Sequence, residues 1–349
     1  MRAITLLPGV PNSARLDDIA EPPIGDGPIL VRTLALGVCG TDREIVSGAF
    51  GEAPPGSERL VLGHESLGEV IEAPPDSGFR PGDRLVGIVR RPDPVPCPAC
   101  AAGEWDMCRN GRYTERGIKG RHGYGAERFR IEPEFAVKVD PALGDLGVLM
   151  EPASIVAKAW DHVERIGKRF HSWRPRRLLV TGAGPIGLLA ALIGAQRGYE
   201  VHVLDRNADG PKPPLIRDLG AQYHAGGVAE LASLQPDVVL ECTGASAVIA
   251  EVLGRTAPNG VMCLLGIAGN HEVTFDLGRF NRSLVMDNDV VFGAVNANRT
   301  HYDMAADALL RADKSWLARL ISRRVPLARW DEALQHRPDD IKVIVDFRL

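Results

Sequence analysis

From Ala3 to about Val139, apolar residues come in short runs divided by glycine and proline. The runs at 29–35, 67–71, 84–89 and 127–131 are rich in β-branched residues and of strand length. Arg80-Pro81-Gly82-Asp83 separates two of them as a turn, because proline presets φ and glycine tolerates the positive φ that follows. The first residues, 1–8, read as a strand ended by Pro8. Near residue 177 the pattern changes: the apolar run 177–181 enters Gly182-Ala183-Gly184-Pro185-Ile186-Gly187 and then an apolar helix. Runs at 200–205, 236–242, 260–266 and 289–293 suit buried parallel strands, with helical lengths between the first of them. After about Asn298 the segments 304–310, 316–321 and 330–336 read as helical and 341–345 as a last strand.

These patterns predict an α/β protein of two domains. The first is a compact β-barrel-type domain over 1–153; the second, over 154–297, is a doubly wound parallel sheet. A late strand outside the second domain most economically rejoins the first, so 298–349 is expected to complete it and to leave a cleft between the two.

The 349 residues are ample for two cores. A net charge of -4 and aromatic content of 5% argue against a nucleic-acid-binding protein. No apolar run approaches the ~18 residues of a membrane span, and the first residues lack a signal peptide's core and cleavage site. The expectation is a cytoplasmic protein with no membrane partner, in which six cysteines serve metal binding or burial rather than disulfides.

Gly37-Val38-Cys39-Gly40-Thr41-Asp42 sets a cysteine in a glycine bend before a short helical stretch, 41–47. With Gly63-His64-Glu65 and Met150-Glu151-Pro152 it offers one thiolate, one imidazole and carboxylates, the ligand set of a catalytic zinc with an open position. The bland alternative is that these groups never meet. Cys97-Pro98-Ala99-Cys100, then Cys108, is a second cluster, one ligand short of a closed tetrahedral site; Glu104 or Asp106 could complete it. A structural zinc, a site without metal, and reduced loop cysteines all remain open. Cys242 and Cys263, inside apolar runs, read as inert core residues. The stretch 108–118 is polar, unlike strand or helix; facing a metal cleft it would suit a ligand with many hydroxyls, since one Glu carboxylate accepts from adjacent OH groups.

Strand, G-x-G-x-x-G and apolar helix together form a specific dinucleotide signature. Gly182 permits the turn, Gly184 lets backbone N–H groups approach a pyrophosphate, Gly187 lets helix and sheet pack, and Pro185 sits where the first helical turn has no N–H to lose. Asp205 ends the next strand where a ribose-binding carboxylate belongs and favours NAD; Arg206 beside it keeps NADP in play. The prolines of Pro211-Lys212-Pro213-Pro214 shorten whatever helix follows, with no functional reading attached.

The motifs 37–46, 62–65, Arg90-Arg91-Pro92, 114–118 and Val295-Asn296-Ala297-Asn298 resemble those of the zinc-dependent medium-chain dehydrogenases along essentially the whole chain, most closely the glucose 1-dehydrogenase branch. The resemblance implies a GroES-like catalytic domain, a Rossmann cofactor domain and a homodimer or homotetramer. It implies that Cys39, His64 and Glu151 hold the catalytic zinc, with Glu65 beside it and able to join the shell. Thr41 would relay the substrate's proton, Glu115 would grip sugar hydroxyls, Glu151 would line the substrate site, and Asn296 would lie between sugar and nicotinamide. Thr243 and Val295 join the glycine turn, Asp205 and Arg206 as implied cofactor contacts. The implied reaction is hydride transfer from the anomeric carbon of an aldose, D-glucose foremost, to NAD(P)+, giving the 1,5-lactone. The alternative is a zinc dehydrogenase of another polyol, sugar derivative or secondary alcohol.

Overall fold

The computed structural model describes residues 1–269 and 271–349. The chain divides into two compact units, Met1–Ser154 with Asn296–Leu349, and Ile155–Val295. The divisions fall one residue later and two residues earlier than the pattern of the sequence placed them, so Asn296 and Ala297 go with the first unit.

The first unit is built on the strand Ile29–Val38. It pairs antiparallel with Glu65–Glu72 on one side and with Lys342–Asp346 on the other, while Arg128–Ile131 pairs with its first residues. Arg84–Gly87 and Ala136–Lys138 extend one edge of this seven-stranded sheet, and Ile321–Pro326 the other. Ile29 and Val31 are buried while Arg32 is exposed, but every residue from Thr33 to Val38 is buried, as in a strand covered on both faces. Register then determines chemistry. Gly37 lies opposite Glu65 and Val38 opposite Val343, so the strand delivers Cys39 into a corner flanked by Glu65 and Lys342.

The second unit holds six parallel strands in the order Gln222–Ala225, Glu200–Asp205, Arg177–Thr181, Val238–Glu241, Val261–Leu264 and Val290–Gly293. This is the expected doubly wound sheet, with the reversal of strand order between Arg177–Thr181 and Val238–Glu241, where such folds bind ligands. The helix Pro185–Gln196 buries residues 187–194 without interruption, hence its apolar character on every side.

Two expectations are corrected, and one strand was not expected at all. The stretch 108–118 contains a strand, Thr114–Arg116, paired with Arg90–Arg91 and Gly120–Arg121. Its three residues are all polar, with Glu115 ion-paired to Arg90 of the neighbouring strand, so it shows no apolar alternation. Gln222–Ala225, an edge strand of polar composition, gave no apolar run either. Ile321 begins a strand rather than ending a helix, because Lys314–Leu320 is already closed by then.

Candidate active site

Cys39 precedes the helix Gly40–Val46 and is joined to it by Asp42, whose Oδ2 accepts from the Cys39 N–H at 2.9 Å. The other oxygen, Oδ1, faces His64 Nδ1 at 3.3 Å, and His64 Nε2 points to Cys39 Sγ at 3.2 Å. A carboxylate behind the ring thus accompanies an imidazole whose Nε2 faces the thiol, the arrangement of a metal-ligating histidine and its outer partner. Burial alone would depress the His64 pKa, but the Cys39 and Asp42 charges outweigh it and hold the imidazole well above its usual range. Asp42 itself lies below the usual carboxylate range: burial would raise it, and His64 overrides that.

Cys39, His64 and Glu65 offer ligand atoms within 4.8 Å of one another. Glu151 lies outside that trio, at the start of the helix Met150–Gly167, with His64, Glu65, Lys342 and Asp42 as its electrostatic neighbours. The two carboxylates differ in their partners. Lys342 Nζ donates to Oε1 and Oε2 of Glu65 at 2.7 and 2.6 Å. Glu151 is only 7% exposed and has no ion pair among the described residues; burial pushes its carboxyl up to about 7. A buried carboxylate without an ion-pair contact among the described residues, beside a thiol and an oriented imidazole, fits a divalent metal of the zinc type.

Thr41, half-buried in the same helix, has a hydroxyl with no hydrogen bond to another described residue. Glu115 approaches from the strand Thr114–Arg116. Gly117 just beyond it packs so tightly that a Cβ there would overlap the backbone of Gly63, next to His64. Glu115 Oε1 accepts from Arg90 Nε and Nη2 at 3.0 and 2.9 Å and from Asn296 Nδ2 at 2.7 Å. Oε2 has no partner among the described residues and stays free. Asn296 reaches this position with φ of 63°, a left-handed conformation that asparagine tolerates better than most residues.

Sequence reasoning missed Asp42, Lys342 and the role of Arg90. An acid three residues past a helix cap reads as an ordinary capping residue. Lys342 sits in an apolar strand, where a lysine is rarely fully buried unless paired, and that was its signal.

The sulfurs of Cys97, Cys100 and Cys108 also converge within 4.8 Å, as three ligands without a fourth among the described residues. Asp106, considered as that fourth, instead accepts from Asn298 Nδ2 at 2.8 Å. The Arg109 N–H pointing at Cys97 lowers its thiol to about 6, while burial pushes Cys100 up to about 11. Burial likewise raises Cys242 and Cys263, which keeps both thiols protonated and unreactive.

In the second unit a Cβ on Gly187 would overlap the Gly182 carbonyl oxygen, so the turn closes only with glycine there. At Gly184 a Cβ would meet no protein atom, which leaves the space before its amide open to a phosphate. Pro185 and Ile186 open the helix behind it. Thr243 donates its N–H to Glu241 Oε1 at 2.7 Å, and Asp205 Oδ2 accepts from the Ala183 N–H at 2.8 Å, so both neighbours of the turn are tied to it or to its sheet. Val295 is exposed, and its carbonyl accepts from Lys158 Nζ at 2.9 Å.

Residues 144–347 match the family model described as the glucose dehydrogenase C-terminus, and residues 25–141 the alcohol dehydrogenase GroES-like domain. The chain belongs to the glucose dehydrogenase family. It is 42% identical to a glucose 1-dehydrogenase of Methanocella arvoryzae and 40% identical to one of Thermoproteus tenax, covering 99% of both chains in each case. Among solved structures, the Haloferax mediterranei glucose dehydrogenase in complex with NADP, Zn and gluconolactone superposes with a TM-score of 0.91 at 32% identity, over 99% of each chain. The family is the zinc-dependent medium-chain one, with a GroES-like domain and a Rossmann-type sheet. No helix among the described residues is long and apolar enough to cross a membrane.

Proposed function

We propose that the protein oxidises the anomeric carbon of an aldose, D-glucose foremost, to the 1,5-lactone with NAD or NADP. The observation that carries this reading is Glu115: a carboxylate clamped through Oε1 by Arg90 and Asn296, with Oε2 left free, on a strand whose next residue but one, Gly117, packs against the backbone of Gly63 beside His64. Such an oxygen accepts hydrogen bonds from neighbouring hydroxyls of a polyol, and a simple alcohol would leave it empty.

Cys39, His64 and Glu151 would hold the zinc, with Glu65 kept alongside by Lys342. When bound, zinc supplies Lewis acidity that makes a hydroxyl easier to deprotonate. Thr41 relays the proton of the anomeric hydroxyl, accepting it on its side-chain oxygen while passing its own hydroxyl proton on to solvent. The dinucleotide, seated by Gly182, Gly184 and Gly187, supplies the two-electron acceptor. Aldose and NAD(P)+ thus give lactone, NAD(P)H and one proton. Assembly as a homodimer or homotetramer rests on the family resemblance. The three-sulfur cluster would suit a second, structural zinc only with a fourth ligand, such as the carboxylate of Glu104.

The test is a panel of aldoses, their deoxy forms, polyols and secondary alcohols followed at about 340 nm, where reduced nicotinamide absorbs. Glu115→Gln should lower kcat/KM for glucose roughly ten- to hundredfold, the worth of hydrogen bonds to a charged group. It should do so far less for the deoxy sugar that lacks the gripped hydroxyl. Equal turnover of a plain secondary alcohol by both forms, with no aldose oxidised, would refute the sugar reading.

A further inference from the structure

The first unit contains a cavity of about 470 Å³, within the ~300–1,000 Å³ range of small-molecule sites, and its walls come from residues other than those of the candidate active site. Arg116 ties it to the strand Thr114–Arg116. Successive residues of a strand point to opposite faces, so Glu115 turns toward Arg90 and Asn296 while Arg116 turns away from them. Part of the lining is apolar: Ile19, Val61, Ala126 and Phe129 contribute to it, and the first three belong to a small cluster of their own with Met1 and Ala3.

Two donors share the cavity with that apolar wall. Arg116 is 2% exposed; its guanidinium donates to the carbonyl oxygens of His122 and Arg130 at 3.2 and 2.6 Å, and its Nε has no partner among the described residues. Burial lowers its pKa only to about 10, so it stays charged at neutral pH. The carboxylate that offsets its charge, Glu132, is already ion-paired to Arg91 and Arg121, so three cations share one acid. A buried cation short of a counter-charge favours an anion beside it. His122 Nδ1 accepts from the Val61 N–H at 3.2 Å, so the neutral ring carries its proton on Nε2, which has no hydrogen bond to another described residue. The acids in the lining limit the charge of the anion. Asp17 is occupied by Thr5 and Arg59, and Glu21 by Arg128. Asp26, half-buried, and Glu58, exposed, have no ion pair among the described residues and disfavour a dianion. We propose that this cavity binds a small monocarboxylate with an apolar aliphatic or aromatic body. The carboxylate accepts from the His122 Nε2–H and offsets the Arg116 charge, and the body lies against Ile19, Val61 and Phe129.

Calorimetric titration of the full-length protein with 3-phenylpropanoate tests this, with 3-phenylpropanol, 3-phenylpropylamine and phenyl phosphate as aromatic probes of different charge. The carboxylate should bind, and the alcohol should bind roughly ten- to hundredfold more weakly, the worth of charge-assisted hydrogen bonds. The amine and the phosphate should also be weaker than the carboxylate. Saturating glucose and 5′-ADP should leave the carboxylate in place. Ala20 is exposed in the lining, so Ala20→Trp fills the space without removing a buried side chain and should abolish binding. Arg116→Met should bring the carboxylate down to the affinity of the alcohol while leaving the alcohol unchanged, a split that a general loss of structure would not produce. Should Arg116→Met fail to fold, Ala20→Trp and the charge series decide the matter. No binding of the carboxylate at millimolar concentration, equal binding of the alcohol, displacement by glucose or 5′-ADP, or unaltered binding in Ala20→Trp overturns the proposal.

Discussion

Cys39→Ala is expected to lose at least about a thousandfold in kcat, because a missing thiolate ligand removes the metal whose Lewis acidity is worth several kcal/mol in the transition state. The backbone around it should be unaffected. Asp42 accepts from the Cys39 N–H at the start of the helix Gly40–Val46, a bond that alanine retains. Nucleotide affinity should also persist, since the glycine turn belongs to the other compact unit. Three measurements check this together: zinc content by mass spectrometry, kcat with glucose, and 5′-ADP affinity. Zinc lost, turnover lost and nucleotide binding kept is the expected triplet. Full turnover in the variant would take the metal out of the mechanism.

What the sequence made legible follows from how far each signal travels along the chain. The parallel sheet was readable because its inner strands, such as Arg177–Thr181 and Val238–Glu241, are buried on both faces and so are continuously apolar. The glycine turn was readable because its three roles are local. The strand Thr114–Arg116 was not, since its stability comes from Arg90 stacked on Tyr113 and paired with Glu115, contacts spanning 25 residues of sequence for the ion pair. The metal site was half legible. Cys39, His64 and Glu151 announce themselves by type, but which carboxylate stays unpaired depends on the register that sets Lys342 beside Glu65, 277 residues away. Asp205 illustrates the opposite case: its place at a strand end was legible, yet the lysine beside it comes from the next helix.

Lys342→Met should destabilise the first unit by about 3–5 kcal/mol, the usual cost of removing one partner from a buried ion pair. The pair is buried on both sides, at 1% and 3% side-chain exposure, and Nζ also donates to the Val38 carbonyl at 3.3 Å, so the lysine ties three strands of one sheet together. Methionine fills similar volume, which confines the loss to electrostatics and leaves the Glu65 carboxyl in a low-dielectric corner without its lysine partner. The consequence reaches the site, because an unneutralised Glu65 competes with Glu151 for whatever positive charge the corner holds. Urea unfolding read by tryptophan fluorescence gives the size of the loss, and Glu65→Gln placed in the Lys342→Met background should recover much of it by removing the stranded charge. A single variant as stable as the native protein, with zinc content unchanged, would mean that Glu65 draws its compensation from the metal and that Lys342 is only filling space.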